Sequence, residues 1–331
     1  MAIERPGARD RVGDVVLGRV TTRRPAMAGA FVALDHGPEG FLPDSAGAAG
    51  RHDGDRLLVR VTRAAQGGKG PRLAASDGPE QLGPGAVARL AALYPRALIA
   101  VDDLAVLALL RPAFGSRLDL VPRAFGDTLE ALFEASRNSA TALPGGATLS
   151  VHPTPALVAI DLDLGAATAD RRGKREAQGG ANAALIPAIA RQIRLRNLGG
   201  AIVVDLAGMP IKRRAALGPA FAAALARDPT ETRFLGFSAL GLAEILRTRI
   251  HPPLHEVLSG PYAAGLVGLR TLAREIAANP ARRPAMVAAP GVADALRADP
   301  VALADLARRA GRPLMLTSDQ AMPPNAWRLE E

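Results

Sequence analysis

The chain contains no cysteine. Disulfides, thiolate metal ligands and cysteine nucleophiles are therefore all excluded. It also lacks any apolar run of the roughly 18 residues a membrane helix needs. The N-terminal Met-Ala-Ile-Glu-Arg-Pro-Gly has no apolar core of a secretory signal, so a cytoplasmic protein without membrane partners is expected. Aromatics are scarce, at 3% of residues, and histidines number five. His36, His52 and His152 are isolated, while His251 and His255 are separated by Pro252 and Pro253, which break the helix a metal-binding pair at that spacing would need. There is no Gly-x-Ser-x-Gly elbow and no P-loop signature.

What is present is length, apolar pattern and positive charge. The 331 residues suffice for two or three domains with their own cores. The formal net charge of +9 points to a polyanionic partner. Its placement is uneven. From Arg171 to Arg214 ten basic residues (Arg171, Arg172, Lys174, Arg175, Arg191, Arg194, Arg196, Lys212, Arg213, Arg214) face only Glu176 and Asp205. Such a window reads either as a solvated basic face or as a phosphate-binding surface.

Residues 12–75 hold five short alternating runs separated by Gly and Pro, which predicts a small closed barrel of the OB type. Residues 76–85 read as a linker, and helices around a strand at 97–101 follow. A hairpin is predicted from Ala147–Val151 and Ala156–Leu162, turned at Pro153-Thr154-Pro155. A helix over Asn182–Leu198, stopped by Gly199-Gly200, leads to Ala201-Ile202-Val203-Val204-Asp205, expected as a central strand covered on both faces. Helices are expected at 211–227 and 241–249, and residues after Ser259 read as a small α/β unit.

The strand, helix, strand order around α-helical residues 182–198 has the length of a crossover between parallel strands. If the strands are neighbours, Asp161 and Asp205 meet at their carboxyl ends, where α/β sheets place ligands. Paired carboxylates suit Mg²⁺, which fills its remaining shell with water and phosphate oxygens. Alternatively, each aspartate merely caps the next helix. In the barrel, Phe31, Phe41 and Lys69 are candidates for base stacking and a backbone contact, with barrel core as the alternative for the phenylalanines.

Residues Ile189 to Gly200 (Ile-Ala-Arg-Gln-Ile-Arg-Leu-Arg-Asn-Leu-Gly-Gly), followed by Ile202-Val203-Val204-Asp205, resemble the ribonuclease E/G family. Leu143-Pro144-Gly145-Gly146 and Leu157-Val158-Ala159-Ile160-Asp161 match the family's entry to its nuclease domain. Val16-Leu17-Gly18-Arg19-Val20, Ala30-Phe31-Val32 and Gly40-Phe41-Leu42-Pro43 match its OB module. The resemblance implies a multidomain α/β protein: an OB-fold RNA-binding barrel over 1–76, a reduced connecting, RNase H-like region over 77–139, a deoxyribonuclease-I-like nuclease domain over 140–258, and a small α/β domain over 259–331. It implies Asp161 and Asp205 as metal ligands, Asp163 beside them in the catalytic site, and Mg²⁺, with Mn²⁺ as an alternative, as the cofactor. Phe31, Phe41, Lys69, Arg171, Arg172, Arg191, Arg194 and Arg196 are the expected RNA-binding set.

The function implied is endoribonucleolytic hydrolysis of single-stranded RNA with 5′-phosphate products. The alternative is an RNA-binding protein of the same fold with attenuated or lost cleavage. Asp163 stands where the family has an asparagine, and no counterpart of the Arg-Thr pair that reads a 5′-monophosphate is found between Ser76 and Arg137. The Cys-x-x-Cys zinc link expected near Leu258 is replaced by cysteine-free sequence, so no zinc link is expected, and a homodimer is left open. The start close to the barrel is expected of a compact variant or an incomplete N-terminus.

Overall fold

Alternating side chains build the first part of the chain. In the computed structural model, which describes residues 2–4, 10–165 and 174–330, strands β1 (Val15–Arg24), β2 (Gly29–Leu34), β3 (Gly40–Pro43), β4 (Arg56–Arg63) and β5 (Arg72–Ala75) close into a barrel. The strand order β1-β2-β3-β5-β4, with β3 and β5 parallel, is that of an OB barrel. Val20, Val32, Leu42, Val59, Val61 and Leu73 fill its interior, and the intervening residues face out. Residues 76–85 are tied back to the barrel, because Val15 and Gln81 exchange both backbone hydrogen bonds at 2.9 Å.

Helices α1 (Ala86–Leu93), α2 (Leu104–Phe114) and α3 (Asp127–Arg137) follow, with β6 (Ile99–Val101) and β7 (Leu118–Leu120) paired in parallel. Asp103 caps α2 by accepting from the Ala105 and Val106 amides, both at 2.9 Å.

The next sheet carries the candidate chemistry. Strands β8 (Ala140–Ala142), β9 (Thr148–Pro153) and β10 (Val158–Asp163), helix α4 (Lys174–Leu195), strand β11 (Gly200–Asp205), helices α5 (Ile211–Arg214) and α6 (Gly218–Leu225), and strands β12 (Thr232–Phe237) and β13 (Ala243–Arg247) form it. The spatial order is β12-β13-β11-β10-β9-β8. The predicted hairpin is present as the antiparallel β9–β10 pair, and β10 and β11 are parallel across α4. Val158, Ile160, Leu162, Ile202 and Val204 are buried with Ile186, Ile189 and Ile193 of α4 and Phe221 of α6.

Three local expectations are corrected. Strand β11 is covered on one face, not two: Ile202 and Val204 are buried while Ala201 and Asp205 are exposed. Residues 243–247 form a strand rather than a helix, because Ala243, Ile245 and Arg247 alternate inward and pair with both β11 and β12. The left-handed residue that ends α4 is Asn197, at φ 48°, so Gly199-Gly200 does not stop the helix.

The chain divides into two compact units, Met1–Leu254 and His255–Glu331. In the second, α8 (Gly260–Ala278), α9 (Pro290–Arg297) and α10 (Pro300–Ala310), which come after the single turn α7 (Leu254–Val257), pack with β14 (Ala285–Ala288), β15 (Leu316–Ser318) and β16 (Trp327–Glu330). β14 pairs in parallel with β15 and antiparallel with β16. Among the described residues no helix is long and apolar enough to cross a membrane.

Candidate metal centre and nucleic-acid face

The parallel register sets Asp161 directly opposite Asp205 at the ends of β10 and β11. Register partners on adjacent strands point to the same side, and strands lie about 4.8 Å apart. Both aspartates are on the open face, as is Asp163 two residues on. Ser150 and Thr148 of β9 stand opposite Asp161 and Asp163. The open face at this end of the sheet is therefore polar and acidic.

Two of the three carboxylates already have partners. Asp205 Oδ1 accepts from Arg214 Nη1 at 2.8 Å. Arg214 is itself buried at 8% exposure and donates to the carbonyls of Leu206 at 3.0 Å, Met209 at 3.0 Å and Gly241 at 2.7 Å. Its guanidinium is thus fixed by backbone and in turn orients Asp205. Asp163 Oδ1 accepts from the Gly165 amide at 2.9 Å, a turn closed on its own backbone. Among the described residues no group of three or more metal-ligating side chains occurs. The donor set that remains, two hard carboxylates at the same register with solvent on one side, fits an ion that binds through one or two carboxylates.

The expected arginines separate. Helix α4 packs on the sheet face opposite the aspartates, so Arg191, which is exposed, is carried on the far side of the sheet. Arg194 is half-buried, with Nη1 enclosed and without a hydrogen-bond partner. Arg196 is corrected from an RNA contact to a buried tie, at 5% exposure. It donates to the carbonyls of Asn138 at 2.6 Å and Ala135 at 3.1 Å and to Thr141 Oγ1, joining α4 to α3 and β8. Burial lowers its guanidinium below the usual arginine range. Arg171 and Arg172 lie outside the described residues.

On the barrel, Phe31 and Phe41 are register partners on β2 and β3, half-exposed on the outer surface rather than in the core. Their rings meet edge to face at 5.6 Å between centroids. Gly29 permits this, since a Cβ there would fall on the Phe41 ring. Lys69 is exposed where Gln66 and Lys69 close a turn through Gly67 and Gly68, both at positive φ.

Sequence spacing did not single out Arg214 as the partner of Asp205, although it lay in the basic window. Nor did it pair His251 with Asp10, at 2.6 Å. Burial acts to raise the Asp10 carboxyl, but the hydrogen bond and charge of His251, with Arg89 nearby, outweigh it and hold the group below the ordinary carboxylate range.

An OB barrel joined to a mixed sheet with paired carboxylates defines a multidomain α/β protein with an aromatic barrel face and an acidic sheet end. Residues 126–250 match the profile of the Ribonuclease E/G family. It is 33% identical over 157 residues to Ribonuclease E of Escherichia coli (strain K12), covering 46% of this chain and 15% of that protein. Ribonuclease G of the same strain is 37% identical over 118 residues, covering 35% of this chain and 24% of that protein. The matched stretches thus span less than a quarter of these relatives' length. Among solved structures, the solution structure of GSP13 from Bacillus subtilis matches 24% of this chain and 69% of its own at 27% identity, with a TM-score of 0.18.

Proposed function

We propose that the protein is an endoribonuclease that hydrolyses single-stranded RNA, using Mg²⁺ or Mn²⁺ held by Asp161 and Asp205 and leaving 5′-phosphate products. The observation that carries this reading is the facing register of the two aspartates within the stretch matched to the Ribonuclease E/G family. A divalent ion there would acidify a water and neutralise charge on the phosphate. Arg214 orients Asp205 towards the open face. Asp163 adds negative charge beside the pair. Phe31 and Phe41 hold bases by stacking, and Lys69 meets the backbone. The region over 140–258 is read, on the same basis, as a deoxyribonuclease-I-like nuclease domain, working in the cytoplasm, without a zinc link and open to homodimer formation.

A second reading, an RNA-binding protein with lost cleavage, is favoured by one observation: Asp163, in the place of the family's asparagine, is turned to the Gly165 amide. Purified protein incubated with single-stranded RNA, with Mg²⁺ or chelator, separates the two. Mg²⁺-dependent cleavage lost in Asp161→Asn supports the enzyme; binding without cleavage in every condition supports the second reading.

A further inference from the structure

The outward aromatic pair continues into a row of guanidiniums. Phe41 is the register partner of Arg72 on β5, and Arg72 is the register partner of Arg63 on β4. A bulge between Val61 and Arg63 is what brings Arg63, rather than Thr62, opposite Arg72. Phe31, Phe41, Arg72 and Arg63 therefore form one line across four adjacent strands, about 14 Å long at about 4.8 Å per strand.

The line runs on to a third arginine. The amide of Ala64, next to Arg63, donates to the carbonyl of Ile250, next to Arg249, at 2.8 Å. Arg249 lies flat over the start of β11: its Nε donates to the Gly199 carbonyl at 3.2 Å, and a Cβ on Gly200 would fall inside its guanidinium. This is what the Gly199-Gly200 pair provides.

Among the described residues none of the three arginines forms an ion pair, and Arg63 Nε is enclosed without a hydrogen-bond partner. Burial and the charges of Arg72 and Arg249 all lower the Arg63 guanidinium, so the three groups feel one another. Three like charges gathered with unused donors are unfavourable alone and become favourable around an anion. Guanidinium forks match phosphate oxygens.

We infer that Arg63, Arg72 and Arg249 form a phosphate subsite that seats an internal phosphodiester of single-stranded RNA next to the bases stacked on Phe31 and Phe41. The inference rests on the RNA-binding part of the proposed function. It gives the strand a direction, from the barrel face to the amino end of β11, whose carboxyl end bears Asp205. Asp205 lies five residue steps on from Gly200, about 17 Å along the strand.

The test is equilibrium binding of the full chain, in chelator, to a short fluorescent single-stranded RNA carrying either a 5′-hydroxyl or a 5′-monophosphate, across a salt series. Arg72→Gln, at an exposed position, and Arg63→Gln are expected to weaken binding about fivefold to tenfold and to reduce the salt slope by about 0.7 each. The loss should be equal for both RNAs, and Arg63→Lys should keep the slope. Thermal unfolding of each variant checks the fold. Unchanged affinity and slope in folded Arg72→Gln would overturn the subsite. A loss confined to the 5′-monophosphate RNA would also overturn it, placing a terminal phosphate there instead. Absence of any RNA binding by the wild-type chain would sink this inference together with the reading beneath it, whereas wild-type binding that the variants leave untouched sinks this inference alone.

Discussion

Arg214 shows how one side chain couples stability to the candidate site. Four acceptors share its guanidinium, three of them backbone carbonyls around the end of β11. Removing it strands those carbonyls and frees Asp205 to turn. Arg214→Met is expected to cost about 2 to 4 kcal/mol in denaturant unfolding and to lower cleavage beyond what the unfolded fraction explains. Asp10 makes a simpler prediction. Its carboxyl is depressed in the folded state, so its stabilisation is present above the ordinary carboxylate range and is lost as pH falls through the lowered value. At neutral pH Asp10→Asn should cost about 1 to 2 kcal/mol, and the gap from wild type should close on acidification when urea unfolding is followed against pH.

Elements were legible in the sequence where pattern and neighbours agree. The five barrel strands, the β9–β10 hairpin and the β10–α4–β11 crossover each carry a period or turn signal that their packing keeps. Residues 243–247 did not. Ala-Glu-Ile-Leu-Arg favours a helix alone, and only its place between β11 and β12 makes it a strand. Arg196 misled for a related reason, since charge in a basic window says nothing about the carbonyls at the end of α3 and the Thr141 hydroxyl of β8 that fold around it. Arg196→Met should therefore destabilise the protein by about 2 to 4 kcal/mol while leaving the salt slope of RNA binding unchanged in the folded fraction. In the barrel, Gly29→Val should displace the Phe41 ring and cost about 1 to 3 kcal/mol, read by thermal unfolding.

For the whole molecule, the aspartates were legible as a pair because consecutive strands of one crossover end in them, yet their shared face was not, because β11 was expected to be covered on both sides. The sheet's open face is what makes the pair accessible. Arg191 on α4 lies behind the sheet, whereas Arg214 of the same basic window meets Asp205 directly. The guanidiniums that line up with the aromatic pair come from the barrel and from the residues just after β13. Cleavage of single-stranded RNA by the full chain, with Mg²⁺ or with chelator, in wild type and Asp205→Asn, bears most directly on this account. It predicts Mg²⁺-dependent cleavage to 5′-phosphate products in wild type, abolished in Asp205→Asn while RNA binding persists. Cleavage that survives in Asp205→Asn, or that proceeds equally in chelator, would contradict it.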